Sequence, residues 1–497
     1  MERENGNAMT EQPRINKVEP VGIKYPSMRK HEGYLAQRHL TKFNAENASV
    51  FTESNNVCRI PVQSGSFLDL NQAVLGFDLT NTHAANTMFL DDNAGCVVNR
   101  VRVLNLQGGE LERLESYGLI SNVLDHYTKD FSDSVGSGTL DGSPWKYDFT
   151  PVQTANITAA ASITTETGMV LSVDGGANLD YVNDIGGRGY SQNQSDTINA
   201  GVMRHYEIKL KGAWFNPDHK NYLPANSGFV LELTFGTAQD SFAWGGAAGS
   251  YSVENCILAV PAVRISDPDL MARMNLNNRA LSWTGTTFSH HINTTQGTIN
   301  ANDTVQLSVR CYVLKGLLSI FRTQSELASF TNFSLSKSSI QGLANYQYQI
   351  GSDNYPQQQI DINLTNGGAV LSTGGTAPNT RVMIGSNTSI NISSAFSEVK
   401  RVIKGLQGTL SGHGLINNES YAQGSNNNGA GIIGVSTEPY GHDDNIHNGI
   451  DTASTAMPVS LRFLRSAYAD AVQQIDTYAC CQIQFMRDAD GNLSSEY

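Results

Sequence analysis

The sequence predicts an all-β chain built as two tandem β-sandwiches, and three observations carry that expectation. Apolar and polar residues alternate with period two in many short segments, helical spacing is confined to isolated stretches, and one order of elements occurs twice in halves of about equal length. Helices that do not follow every strand exclude an alternating β-α-β plan.

The elements follow in chain order. Residues 1–56 read as an N-terminal arm: Pro13, Pro20 and Pro26 prevent a long helix, and no alternation is visible before about Val57. The first sandwich is expected over 57–265. Short strands fit 75–79 and 97–103, and Leu111, Leu114, Tyr117, Ile120, Leu124 and Tyr127 fall on one helix face. A long polar loop over about 130–200 comes next. Tyr206, Ile208 and Leu210 then alternate with Glu207, Lys209 and Lys211, as do Phe229, Leu231, Leu233 and Phe235 with their neighbours, and a strand over 257–265 closes the half.

A linker spans 266–279, where Ser266 and Asp267 precede Pro268 in the manner of a helix start. The second sandwich is expected over 280–497. Val305, Leu307, Val309 and Cys311 alternate with Gln306, Ser308 and Arg310, and further strands fit 346–350, 360–364, 459–463 and 481–485. Ala395, Phe396, Val399, Val402 and Ile403 fit a helix face between long polar loops at about 366–392 and 408–457.

Composition narrows the function. Charged residues are only 16% of 497, with 46 Gly and 45 Asn, so the chain is turn-rich and weakly charged, while its 39% apolar content is enough to fold. The longest apolar run, 256–263, is too short to span a membrane, and the mixed charges of the first residues lack the apolar core of a secretory signal, which points to assembly in a reducing cytosol or nucleus. Residues 1–45 carry +3 against −16 for the remainder, so only the arm suits nucleic acid or anionic lipid. Cys58, Cys96, Cys256, Cys311, Cys480 and Cys481 form no CxxC pair and read as buried free thiols.

No motif carries chemistry. Gly429, Gly431 and Gly434 match GxGxxG but follow an Asn run and precede no helix, so they read as a loop without a site for a pyrophosphate. His31-Glu32 lacks the second histidine of a zincin, since position 35 is Leu35. His442, Asp443, Asp444 and His447 are metal-ligand types in one polar turn with no further ligand in view. Asp488, Asp490 and Asn492 copy the start of a calcium loop, but Leu493 stands where glycine is required. His290 and His291 lie in a strand and face opposite sides. Eleven N-x-S/T sequons match the composition. Catalytic, cofactor-binding and metal-binding residues are therefore expected to be none.

Three segments, ENCILAVPAVRISDPDL at 254–270, RCYVLKGLLSIFR at 310–322 and YQYQIGSDNYP at 346–356, resemble the double jelly-roll major capsid proteins of tailless icosahedral double-stranded DNA viruses, the adenovirus hexon lineage, and most of all those of polinton-like viruses and virophages. The resemblance implies two eight-stranded jelly rolls with short helices and long loops, a homotrimeric pseudo-hexagonal capsomer, and a place in the virion shell with no enzymatic activity. It also implies contacts with neighbouring capsomers, penton and minor capsid proteins, and the net positive charge of the arm suits an inward place against internal lipid or packaged DNA. The alternative is a secreted-type carbohydrate-binding β-sandwich or glycoside hydrolase, which would need a signal sequence and a clustered site.

Overall fold

The computed structural model describes residues 36–129, 131–143, 161–164, 170–173, 197–218, 222–245, 249–265, 281–295, 302–327, 335, 338, 340, 343–362, 371–372, 380–381, 392–407, 421, 431–439, 448–453, 457–465 and 473–497. Two sandwiches with one topology follow each other along the chain.

The first uses β1 (Ala36–Asn44), β2 (Val57–Gln63), β3 (Val74–Asn81), β4 (Val98–Asn105), β5 (Glu110–Glu115), β6 (Met203–Lys209), β7 (Gly228–Phe235) and β8 (Tyr251–Ile265). These pair in the orders β1-β8-β3-β6 and β2-β7-β4-β5, all antiparallel. The second uses β9 (Leu281–Thr294), β10 (Asn302–Leu307), β11 (Leu314–Thr323), β12 (Leu343–Ile350), β13 (Asp353–Asp361), β14 (Ile432–Ser436), β15 (Val459–Arg465) and β16 (Gln473–Arg487). Their orders, β9-β16-β11-β14 and β10-β15-β12-β13, repeat the first set with every number raised by eight. First and last strands pair in one sheet while the second and seventh pair in the other, which is the wrapping of a jelly roll.

Alternation explains the layers. Leu75, Phe77 and Leu79 of β3 and Leu231 and Leu233 of β7 are fully buried, as are Tyr346 and Tyr348 of β12 and Leu461 of β15. Each such side chain withdraws enough apolar surface to stabilise the fold by about 1.5–3 kcal/mol. The connections after β3, β5 and β7 gather at one end, where Met88–Leu90 pairs with both Thr197–Ile198 and Phe242–Trp244. Helix α1 (Tyr117–Thr128) follows β5 at that end, and α2 (Phe131–Asp141) follows it; α3 (Ser393–Gln407) lies in the matching connection after β13. Tyr127 of α1 and Phe396 of α3 have ring centroids 6.3 Å apart, so the corresponding ends of both sandwiches lie side by side.

Several expectations are corrected. Strand pairing begins at Ala36, not near Val57: β1 and the pair Val50–Phe51 both hydrogen-bond to β8, so only residues 1–35 of the expected arm lie outside the described residues. Six of nine β1 residues are exposed, which hides the alternation. The helix expected from Leu111 begins at Tyr117. Leu111 and Leu114 belong to β5, and Ser116 at φ 47° breaks the strand from the helix. The alternation at 305–311 ends as a strand at Leu307, because Cys311 turns so that its backbone N–H donates to the Thr452 hydroxyl at 3.0 Å. The polar stretch at 408–457 contains β14, and those at 130–200 and 366–392 contain the hairpins Ala161–Thr164/Val170–Val173 and Leu371–Ser372/Thr380–Arg381. The linker helix expected from Ser266 lies outside the described residues.

Candidate functional site at the junction of the two sandwiches

What the sequence leaves unassigned is how the halves are held, and the structure places its most specific chemistry there. The connection from β6 to β7 carries Trp214, which is fully buried. It meets Phe229 of its own sandwich at 5.2 Å, and Trp283 of β9 and Phe485 of β16 at 5.7 and 5.0 Å between centroids. Edge-to-face packing with Phe485, at 85°, adds a directional preference to the burial.

Beside it the backbones touch. Pro217 and Gly285 form an isolated antiparallel bridge, and Asp218 accepts from the Thr284 hydroxyl at 2.8 Å while its own N–H donates to the Thr284 carbonyl at 2.9 Å. Glycine is required at 285: a Cβ there would meet Ala213 Cβ at 2.8 Å and its Cα at 2.9 Å. Glu112 fixes this turn by accepting from the backbone N–H groups of Ala213 and Trp214 at 2.7 and 2.8 Å. Burial raises the Glu112 pKa despite those bonds.

Further along the seam, Tyr478 of β16 donates to the Ser116 carbonyl at 3.0 Å and stacks on His290. His290 and Arg322 both reach the buried Asp476, at 2.9 and 2.8 Å. Burial opposes ionisation of Asp476, but the Arg322 charge and the hydrogen bonds from His290 and Arg322 outweigh it and hold the pKa at about 2. At the far edge, the β4–β5 turn meets the C-terminal hairpin, with Asn105 donating to the Leu493 carbonyl at 3.0 Å and Gln107 to Asn492 at 2.8 Å.

A second charged cluster anchors α1. Asp125 pairs with Lys211 and, at 3.4 Å, with Lys129, which also reaches Asp141 at 2.9 Å. Burial opposes the Asp125 charge, yet the two ammonium groups hold its pKa below the usual range. With both cations already paired, the cluster reads as an anchor for the helix.

The motifs of the sequence fall elsewhere. Gly431 and Gly434 allow close packing at β14: a Cβ on Gly431 would meet the Tyr421 carbonyl at 2.7 Å, and one on Gly434 the Leu317 carbonyl at 2.9 Å. The expected loop at GxGxxG is thus corrected to a buried strand from Ile432 onward. Asp488 accepts from the N–H groups of Asp490 and Asn492 and from the Asn492 side chain, which closes a turn. Residues 31–35 and 440–447, with their histidines, lie outside the described residues.

Between the sandwiches lies a polar cavity of about 240 Å³, lined in part by Asn99, Ser116, Asp240, Arg322 and Gln474. The thiol of Cys96 in its lining is pushed well above its ordinary pKa by burial and by the Asp91 charge. Among the described residues no three His, Cys, Asp or Glu side chains are grouped to hold a metal ion.

Two jelly rolls of one topology, fused through an aromatic and hydrogen-bonded seam, define a double jelly-roll protein. No family model matches the sequence, and no curated protein matches it. Solved structures do share the fold. A chain of the PBCV-1 virus capsid is 10% identical with a TM-score of 0.53, the alignment covering 96% of this chain and 99% of that one. The Sputnik virophage structure gives 10%, 0.52, 96% and 92%, and the Faustovirus major capsid protein 8%, 0.50, 93% and 93%. At these identities the likeness establishes the fold.

Proposed function

We propose that this chain is the major capsid protein of a double-stranded DNA virus or virophage and carries out no reaction. The observation that carries the reading is the doubled jelly roll: two sandwiches of identical strand order, locked by the Trp214 seam, with a fold shared over nearly the whole length of capsid chains. Three copies of a two-lobed subunit make a six-lobed block that tiles a hexagonal lattice with threefold true symmetry.

The division of labour within the chain follows. Residues 57–265 and 280–497, extended by β1 in the first unit, are the two lobes, with 266–279 as the link. The connections after the third, fifth and seventh strands build the outward tower, and their Gly, Asn and Ser content suits a solvated face. The net-positive N-terminal residues turn inward, toward minor proteins, anionic lipid or packaged DNA. Partners are copies of the same chain, then penton and minor capsid proteins, and the protein works in the virion after assembly in the host cell.

Sedimentation of the purified chain at micromolar concentration tests the reading. A stable homotrimer is expected, since an obligate capsomer interface buries on the order of thousands of Å²; a monodisperse monomer would contradict it. Deleting residues 1–35 should leave the trimer intact and impair shell assembly or its salt tolerance.

A further inference from the structure

The seam between the sandwiches uses different parts of each. On the first sandwich it takes the edge strand β5 and the β6–β7 connection; on the second it takes the edge strand β9, its neighbour β16 and the C-terminal hairpin. Because the two sandwiches share one strand order, each also carries the other's half of the seam. The counterpart of β9 in the first is β1, and the counterpart of β5 in the second is β13. Exposure separates the used halves from the unused ones. Consecutive residues are buried in Leu111 and Glu112 of β5 and in 284–288 of β9, so both faces of those strands are covered. By contrast, none of residues 37–44 of β1 is buried, and Ile360 alone is buried on β13.

The two uncovered edges are equal in length and opposite in charge. β1 and β13 have nine residues each; β1 carries Arg38, His39 and Lys42 and no carboxylate, while β13 carries Asp353 and Asp361 and no cation. Between its charges each strand is apolar, with Leu40 58% exposed on β1 and Tyr355 and Pro356 half-buried on β13. β8 widens the first patch. Its register sets Arg38, Leu40 and Lys42 opposite Val263, Pro261 and Ala259, so these side chains share the outer face of the sheet, where all three β8 residues and Ile257 are half-buried. This accounts for the unbroken apolar run at 256–263: a strand with one wet face alternates, and this one is apolar on both.

We infer that β1 and the outer face of β8 dock on the β13 edge of a second copy of this chain, head to tail, as β9 and β16 dock on β5 within the chain. In the capsomer proposed above, on which this rests, one kind of contact then runs around the block: first sandwich to second inside a subunit, second to first between subunits. A head-to-tail contact closes a ring when its rotation divides the circle, and three two-lobed chains close such a ring. The charges favour this pairing over self-pairing of either strand, since β1 against β1 opposes cations and β13 against β13 opposes carboxylates. It also covers two long edge strands that would otherwise be open to unspecific pairing.

The test places the photo-crosslinker p-benzoylphenylalanine in the full chain at exposed Leu40 and, in a second variant, at exposed Gln358. The trimer fraction from sedimentation is illuminated and denatured, and peptides are mapped from bands at multiples of the chain mass. The expected links run from position 40 to residues 353–361 and from position 358 to β1 or β8, in both cases between subunits. Leu40→Asp should keep the far-ultraviolet circular dichroism of the unsubstituted chain and raise the concentration at which trimers dissociate by about tenfold or more. Trimers whose links join β1 to β1, fall on other strands or stay within one subunit would overturn the docking and leave the capsomer reading standing; a chain that stays monomeric would overturn both. A Leu40→Asp trimer as stable as the unsubstituted one would also overturn the docking.

Discussion

Trp214 touches both sandwiches, so its removal should unfasten them. Trp214→Ala should cost about 3–5 kcal/mol by urea denaturation, because the cavity left among Phe229, Trp283 and Phe485 has rigid walls on both sides. Gly285→Val should be as damaging for the opposite reason, forcing a side chain into Ala213, whose Cβ would lie 2.8 Å and whose backbone 2.9 Å from the new Cβ. Asp476 sets a dependence on pH. Its folded pKa of about 2 lies below the ~3.9 of an unfolded chain, so its contribution, about 2–3 kcal/mol, is fully present above pH ~4 and fades as pH falls toward 2. Asp476→Asn should therefore be destabilising at pH 7, with the gap to the unsubstituted protein narrowing by about that amount between pH 5 and 2 in chemical denaturation. Undiminished separation at pH 2 would mean that His290 and Arg322 do not depend on the carboxylate charge.

At the level of elements, β14 is the strand whose role the sequence hides. It follows an Asn-rich run, yet Ile432, Ile433 and Val435 are buried between β11 and α3, and Gly434 lies against the Leu317 carbonyl. Gly434→Val should lower the melting temperature of the second sandwich by several degrees, read by calorimetry, through loss of the β11–β14 ladder. Strands with one dry face, such as β3, β7 and β15, are legible from period two alone. β1 is not, because an edge strand exposed on both faces has no apolar rhythm, and β5 is not, because Leu111 and Leu114 mimic a helix that Ser116 starts later. The seam was out of reach for a different reason. Trp214, Trp283 and Phe485 are far apart in the chain, and only the fold brings them together. Arg322, a charge closing the apolar run of β11, is the one signal that a buried counter-ion such as Asp476 had to exist.

For the whole molecule, the repetition of one strand order in β1–β8 and β9–β16 matters more than any single site. It gives each subunit two equivalent lobes whose connections after the fifth strand, with α1 and α3, stand side by side. Under the proposed function, each such chain is one third of a six-lobed block. Electron microscopy of the assembled protein in negative stain tests that claim most directly. Class averages should show blocks with a six-sided outline and threefold internal symmetry, packed in hexagonal arrays or closed shells; isolated two-lobed particles at every concentration would contradict it.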